Sequence, residues 1–279
     1  MEITRRKHSA AIIVIYVFLI VYLLYTLFPI FLMVSTSFKS NPEIMKNPVG
    51  LPAQFNLKGY EKVFATQDFP LYFWNSLFVT LAALAISTVA SIFLAYALER
   101  YTFRSAKFLY FFFLAGMMVP IRLGMLSLND ILHTLGLIDN RWGLIFIYVA
   151  MSIPFTMFIL TGFIKMIPQS LDESAYMDGA SELRILWSLI VPLIKPAIMT
   201  VVVYNFVPIW NDVYFPLIFT RSVGNRTLML GVTMFFGQFQ TDWNLVFSAL
   251  TTACIPVLLI YIFGSKHLIK GLMAGALKG

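Results

Sequence analysis

The residues best suited to chemistry are few and scattered. His8, His133 and His267 lie far apart in the chain, and the lone cysteine, Cys254, sits in an apolar stretch. That pattern rules out an internal disulfide framework and a four-cysteine metal site. Neither a Gly-x-Ser-x-Gly elbow nor a His-Glu-x-x-His pair occurs. A phosphate-binding loop needs Gly-x-x-x-x-Gly-Lys-Ser/Thr, so that backbone amides and the lysine hold phosphates, and no Gly-Lys pair is present. The expectation is a chain that is not an enzyme and holds no metal or other cofactor of its own. Any work it performs must draw on another polypeptide or on an ion gradient.

Three other groups have spacings that suit recognition. Trp210, Asn211, Asp212 and Tyr214 set hydrogen-bonding groups beside aromatic faces, the combination that receives a sugar through its hydroxyls and its C–H surface. On one continuous helix Asn205 would fall about 20° from Asp212, since successive residues turn by about 100°. Asn205, Trp210, Asn211 and Asp212 are therefore expected to line a translocation pathway; the competing reading is that they pack a seam. Around 168–192, Ser170 followed by Glu173 fits a capping box and predicts a short helix that Gly179 ends in a left-handed turn. Ala175 and Gly179, four apart, leave one side bare enough for a second backbone to approach, and Ser181 is placed to cap a second helix. Such an acidic, rigid element suits docking by a soluble partner; the simpler reading is that Glu173 caps its own helix and Gly179 only turns the chain. Finally, 220–244 carries Phe235, Phe236, Gln238, Phe239 and Gln240 among Gly224, Gly231 and Gly237, an apolar composition for a loop. Exposed apolar patches usually mark interaction sites, although lying on the membrane surface is the alternative.

The elements that must position these residues are set by composition. Of 279 residues 59% are hydrophobic and only 12% are charged, with a mean hydropathy of +0.83. Soluble domains carry about 25% charge, so this reads as an integral membrane protein. The net charge of +7 comes without any Lys/Arg run interleaved with aromatics, which argues against nucleic acid as a partner. About 20 apolar residues cross a hydrocarbon core of about 30 Å. The charge-free intervals 9–38, 69–98, 142–164 and 243–265 suffice alone, while two more are interrupted by Arg122 and Asp212. The reading is an all-α membrane protein with six transmembrane helices, at about 10–34, 72–98, 107–128, 142–164, 193–219 and 243–265, in one domain. The first is too long for a cleavable signal peptide. Twelve basic residues fall in 1–9, 99–107, 165–195 and 266–279, against eight in the longer total of 35–71, 122–142 and 220–244. By the positive-inside rule the first set, both termini included, is expected to be cytoplasmic. The rival to an externally driven transporter is an ion-gradient-driven secondary transporter, which needs ionisable groups at mid-membrane; only Arg122 and Asp212 qualify.

Glu173-Ser174-Ala175, with Gly179 four positions on and Pro192 thirteen further, resembles the Glu-Ala-Ala-x-x-x-Gly loop of binding-protein-dependent ATP-binding-cassette importers. Ser174 stands where the motif's first alanine is usual, a change that keeps the face narrow. Asp178-Gly179-Ala180, the 137–144 stretch, Trp210-Asn211-Asp212 and the 271–279 ending are similar to the carbohydrate-uptake branch of that family, the maltose-type permeases of the shorter six-helix kind. The resemblance implies a bacterial cytoplasmic-membrane permease that pairs with a homologous second permease subunit and works with two ATP-binding-cassette ATPase subunits, which would hold the ATP and Mg. It implies an extracytoplasmic sugar-binding protein that delivers the cargo. It implies that 165–192 is a coupling-helix loop between helices 4 and 5, with Glu173, Ser174, Ala175, Asp178 and Gly179 coupling to the ATPase and the tail from Lys270 near the same subunits. Phe236, Gln238 and Gln240 are then expected to contact the binding protein.

Overall fold

Apolar runs of this length leave one solution in hydrocarbon, where each backbone amide and carbonyl must be satisfied within its own segment. The computed structural model describes residues 2–65, 68–236 and 241–276, with side chains for 12–65, 68–236 and 241–264. Among the described residues the elements are helical throughout. In chain order they are α1 (Glu2–Ser37), α2 (Asn41–Lys46), α3 (Lys58–Ala65), α4 (Asp68–Arg100), α5 (Ala106–Met118), α6 (Met125–Thr134), α7 (Arg141–Ile164), α8 (Gln169–Met177), α9 (Glu182–Leu193), α10 (Lys195–Trp210), α11 (Tyr214–Phe219), α12 (Leu228–Thr233) and α13 (Trp243–Ala276).

The four long charge-free intervals become four unbroken spans, Ile12–Ser37, Asp68–Arg100, Arg141–Ile164 and Trp243–Gly264. The two interrupted ones differ from expectation. The crossing anticipated at 107–128 breaks after α5 and bends by 87° before continuing through α6. Pro120 explains the break: it supplies no amide and forces Val119 out of the helical region, to φ −81° and ψ 118°. The crossing anticipated at 193–219 is likewise not one helix. The pair α9 and α10 bends by 74°, α10 stops at Trp210, and α11 is separate. Among the described residues, four helices are therefore long and apolar enough to cross a membrane, or up to six when each bent pair counts as one.

The chain falls into two units, 1–67 with 232–254, and 68–231 with 255–279. In the first, the end of α1 is tied to the start of α13. Asn244 Nδ2 donates to the carbonyls of Ser37 and Lys39, at 2.9 and 2.7 Å, taking up acceptors that a helix end leaves without an intrahelical donor. Asn41 Oδ1 in turn accepts from the Asn244 amide at 2.9 Å, and Asn41 Nδ2 donates to Asp242 Oδ1 at 2.9 Å. Lys39 is fully buried and spends its ammonium on the Asn47 carbonyl at 2.9 Å. The 35–71 stretch, with its three prolines and two glycines, thus contains two helices and a polar lock. In the second unit α4 lies along α7, with Ala83, Ser87, Ser91 and Ala95, spaced by four, all fully buried. Small residues at that spacing let helix backbones approach, which is how helices gain contact in a membrane. At one end a cluster of Ile92, Tyr96, Leu160, Ile164, Ile185, Ile190 and Ala197 joins α4, α7, α9 and α10.

Candidate functional site

The 165–192 segment folds into two helices about a glycine, as its spacing predicts. Gly179 has φ +79°, a left-handed conformation that side chains disfavour. Its amide donates to the Tyr176 carbonyl at 2.9 Å and that of Ala180 to the Ala175 carbonyl at 3.0 Å, the paired bonds of a Schellman end. The start of α8 differs from expectation. Pro168, with ψ 131°, is the cap, and Ser170 already lies inside the helix, where its carbonyl accepts from Ser174 Oγ at 2.8 Å. No capping box forms, because the proline fixes the chain's entry two residues before the serine. Ser181 occupies the cap position of α9 but makes no side-chain cap bond.

The two sides of α8 are chemically distinct. Glu173, Ser174, Asp178 and Gly179 are exposed, and with them stand Leu171, Tyr176 and Met177, the last 89% exposed. Ala175 turns the other way, half-buried against the cluster at the ends of α4, α7 and α9. Its smallness seats α8 on its own chain rather than leaving room for a partner. On that inner side Asp172 is buried and Arg100, the last residue of α4, brings Nε within 2.5 Å of its Oδ2. Arg100 also donates through its guanidinium to the Ile167 carbonyl, just past α7, at 3.1 Å. The next residue, Tyr101, donates its hydroxyl to Glu182 at the start of α9. That bond to the carboxylate, reinforced by burial and by the Glu182 charge, pushes the Tyr101 phenol up to about 12. Arg100 and Tyr101 escaped the sequence reading, where Arg100 counted only as a topology charge. The one signal was an arginine at the foot of a long apolar helix in a chain with one acidic inner loop, which fixes no pairing.

The 205–212 residues also bond to α7, but not as one helical face. Because α10 ends at Trp210, the angular relation between Asn205 and Asp212 no longer holds. Asn205 is buried and donates to Thr156 Oγ1 at 3.0 Å. Trp210, 1% exposed, stacks on Phe206 and meets Phe73 edge-on. Asp212 accepts from the Tyr148 hydroxyl at 2.8 Å and from the amides of Tyr214 and Phe215 at 3.2 and 3.1 Å. Asn211 alone of the four is exposed. Arg122, the other ionisable group of the interrupted spans, lies over the Tyr214 ring at 4.7 Å.

Much of the 220–244 segment is a packing element. Thr227, Leu228 and Leu230 are buried, and Gly231 lies where a Cβ would come within 2.2 Å of the Tyr72 ring. Phe236 is 48% exposed and meets Trp243 edge-on; Gln238 and Gln240 lie outside the described residues. The neighbouring turn is a knot around Asp139, a non-glycine residue at φ +55°. Its carboxylate accepts from the amides of Arg221 and Ser222, at 2.8 and 2.9 Å, and from Ser222 Oγ at 3.0 Å. Asn225 Nδ2 donates to the Asp139 carbonyl, to its Oδ1 at 3.4 Å and to Ser222 Oγ. Burial raises the Asp139 carboxyl, but these four donors outweigh it and hold the group below its ordinary range.

Four long apolar helices, two bent pairs and a helix–glycine–helix element make this a multi-pass membrane protein by length and composition. Residues 87–272 match the family described as the binding-protein-dependent transport system inner membrane component, and the chain belongs to it. It is 35% identical to a putative ABC transporter permease of Caldicellulosiruptor sp. (strain Rt8B.4), over 95% of this chain and 96% of that one. It is 34% identical to the probable starch degradation products transport system permease of Thermoanaerobacterium thermosulfurigenes, over 90% of this chain and 91% of that one. Its fold is that of a chain in the crystal structure of a bacterial ABC transporter involved in alginate import. The TM-score is 0.84 and identity 24%, over 94% of this chain and 97% of that one.

Proposed function

We propose that this chain is one of two permease subunits of an ATP-driven importer that moves a sugar or oligosaccharide across a bacterial cytoplasmic membrane by alternating access. The observation that carries the reading is α8. It presents Leu171, Glu173, Tyr176 and Met177 outward while its other side is fixed to its own chain by Asp172 and Ala175. A short helix with an apolar and acidic outer side and a rigid seat is suited to receive an ATPase subunit and pass its movement on. With the basic segments inside, both termini and α8 face the cytoplasm and the Asp139 knot faces out. A homologous permease completes the pathway, a sugar-binding protein delivers cargo at the outer side with Phe236, Gln238 and Gln240 as contacts, and ATP and Mg belong to the two ATPase subunits. The sugar assignment is supported by the relative named for starch degradation products.

Asn211, the exposed residue of its group, is the best placed to touch cargo; Asn205, Trp210 and Asp212 support that wall from within. Gradient-driven transport gains nothing from Asp212 or Arg122, since one is bonded to Tyr148 and two amides and the other covers a ring. The test is purification of the tagged chain in mild detergent from cells expressing its neighbouring genes. ATPase subunits co-elute, and Met177→Asp releases them. Uptake by the isolated chain in vesicles energised only by an ion gradient would overturn the reading.

A further inference from the structure

Both ends of α4 make contacts that its packing on α7 does not require. At the C-terminal end, consecutive residues grip both arms of the helix–glycine–helix element: Arg100 holds Asp172 on α8, and Tyr101 holds Glu182 on α9. At the N-terminal end Asn75 Nδ2 donates to the carbonyls of Gly224 and Arg226, at 2.8 and 3.0 Å, and Ser76 Oγ accepts from the Leu228 amide at 2.7 Å. Between them α4 runs unbroken for 33 residues, about 50 Å at about 1.5 Å per residue. It is a rod fastened to a different segment at each end.

The inner fastening is a charge pair where apolar packing already holds the helices together. Buried ion pairs stabilise little, because desolvation offsets their attraction, but separating one leaves an uncompensated charge in a poorly solvated place. The side chains of Arg100 and Asp172 are only 9% and 5% exposed. Neither Asp172 oxygen accepts an aligned hydrogen bond from the described residues, so the guanidinium is what balances its charge there. Sliding α8 away from α4 would strip that compensation. Packed apolar side chains, by contrast, tolerate small slips.

We propose that Arg100 and Asp172 are positioning residues that make α4 the output rod of the ATPase stroke, so that displacement of α8 reaches the 222–231 segment through α4. The proposal rests on α8 being the ATPase-docking helix. The test uses the complex of this chain with its partner permease and ATPase subunits, carrying Cys254→Ser and Trp74→Cys; Trp74, near the far end of α4, is 64% exposed. Labelling of the new thiol by a membrane-impermeant maleimide is timed without nucleotide and after trapping with ATP and vanadate. Trapping changes the rate by about tenfold in the parent, and Asp172→Asn brings that change below about twofold while the ATPase subunits remain bound. The exchanged pair Arg100→Asp with Asp172→Arg restores it, which a merely structural role would not produce. An unchanged response in Asp172→Asn, or none in the parent, overturns the proposal. If Asp172→Asn fails to assemble, Arg100→Lys decides, since it keeps the charge but loses the guanidinium's reach to both Asp172 and Ile167; a response equal to the parent's overturns the clamp. If ATPase subunits do not bind even the parent, the permease reading falls, and the clamp with it.

Discussion

At the scale of single residues, the polar groups of this apolar chain are fasteners, and most do two jobs at once. Asn244 serves two carbonyls at and just past the end of α1 with its amide while its own backbone amide is taken by Asn41. Asn244→Ala strands the Lys39 carbonyl and leaves that of Ser37 only the Ser248 hydroxyl at 3.3 Å, at a cost of about 1–3 kcal/mol for the buried group left unsatisfied, read as a lowered Tm of the detergent-solubilised protein. Asp242 beside it gives a pH signature. Burial raises its carboxyl, but the bonds from Lys62, Asn41 and the Leu245 amide, with the Lys62 charge, bring it below the ordinary 3.8. A carboxyl lowered by folding stabilises fully above that ordinary value and loses its contribution as pH falls through the lowered one. Acid scans should therefore show Asp242→Asn less stable than the parent at neutral pH, with the gap closing below about 3.8. Tyr101 offers a test of the α4–α9 contact: Glu182→Gln removes the carboxylate that raises the phenol, and its titration falls from about 12 toward the ordinary 10.0. Labelled-tyrosine resonances would follow it.

At the scale of elements, glycine and proline decide where helices stop. Gly179→Val places a branched side chain in the left-handed region, costing about 1–2 kcal/mol. Because a Cβ there meets nothing within 4 Å, the penalty is conformational and the loss expected is of ATPase co-purification, not of folding. Pro120→Ala restores an amide and frees Val119 to become helical; the angle between α5 and α6 should open, as spin labels at 112 and 128 would measure. Such punctuation also explains what could be read without coordinates. The four unbroken spans were legible because nothing charged or helix-breaking interrupts them enough to matter, and α8, Gly179 and α9 because glycine and the flanking prolines leave little choice. The bends were not, since charge gaps register Arg122 and Asp212 but not the geometry of Pro120 or Ile194. Ser170 misled because its spacing from Glu173 satisfied a capping pattern that Pro168 had already pre-empted. The pairing of Arg100 with Asp172 was beyond reach, as it depends on the register of α8 against α4, which packing alone decides.

At the scale of the whole molecule, the proposed role makes the chain half of a transport pathway driven by a separate motor, and on that role its fastenings serve to transmit force rather than generate it. Its segments differ in what holds them: packed small residues along α4 and α7, ion pairs and amide bonds where chain ends and turns must keep their place. The knot at Asp139 has a practical consequence for whoever produces this protein. Asn225, Arg226 and Thr227 spell the acceptor triplet for N-linked glycans, yet the folded chain commits the Asn225 nitrogen to Asp139 and Ser222 and buries Thr227. With this turn on the outer side, as the proposed orientation has it, the triplet can be modified in a yeast or insect-cell host only before that knot closes. A band that drops on endoglycosidase treatment would record how slowly the turn forms behind the translocon, and any sugar left there would lock the knot open.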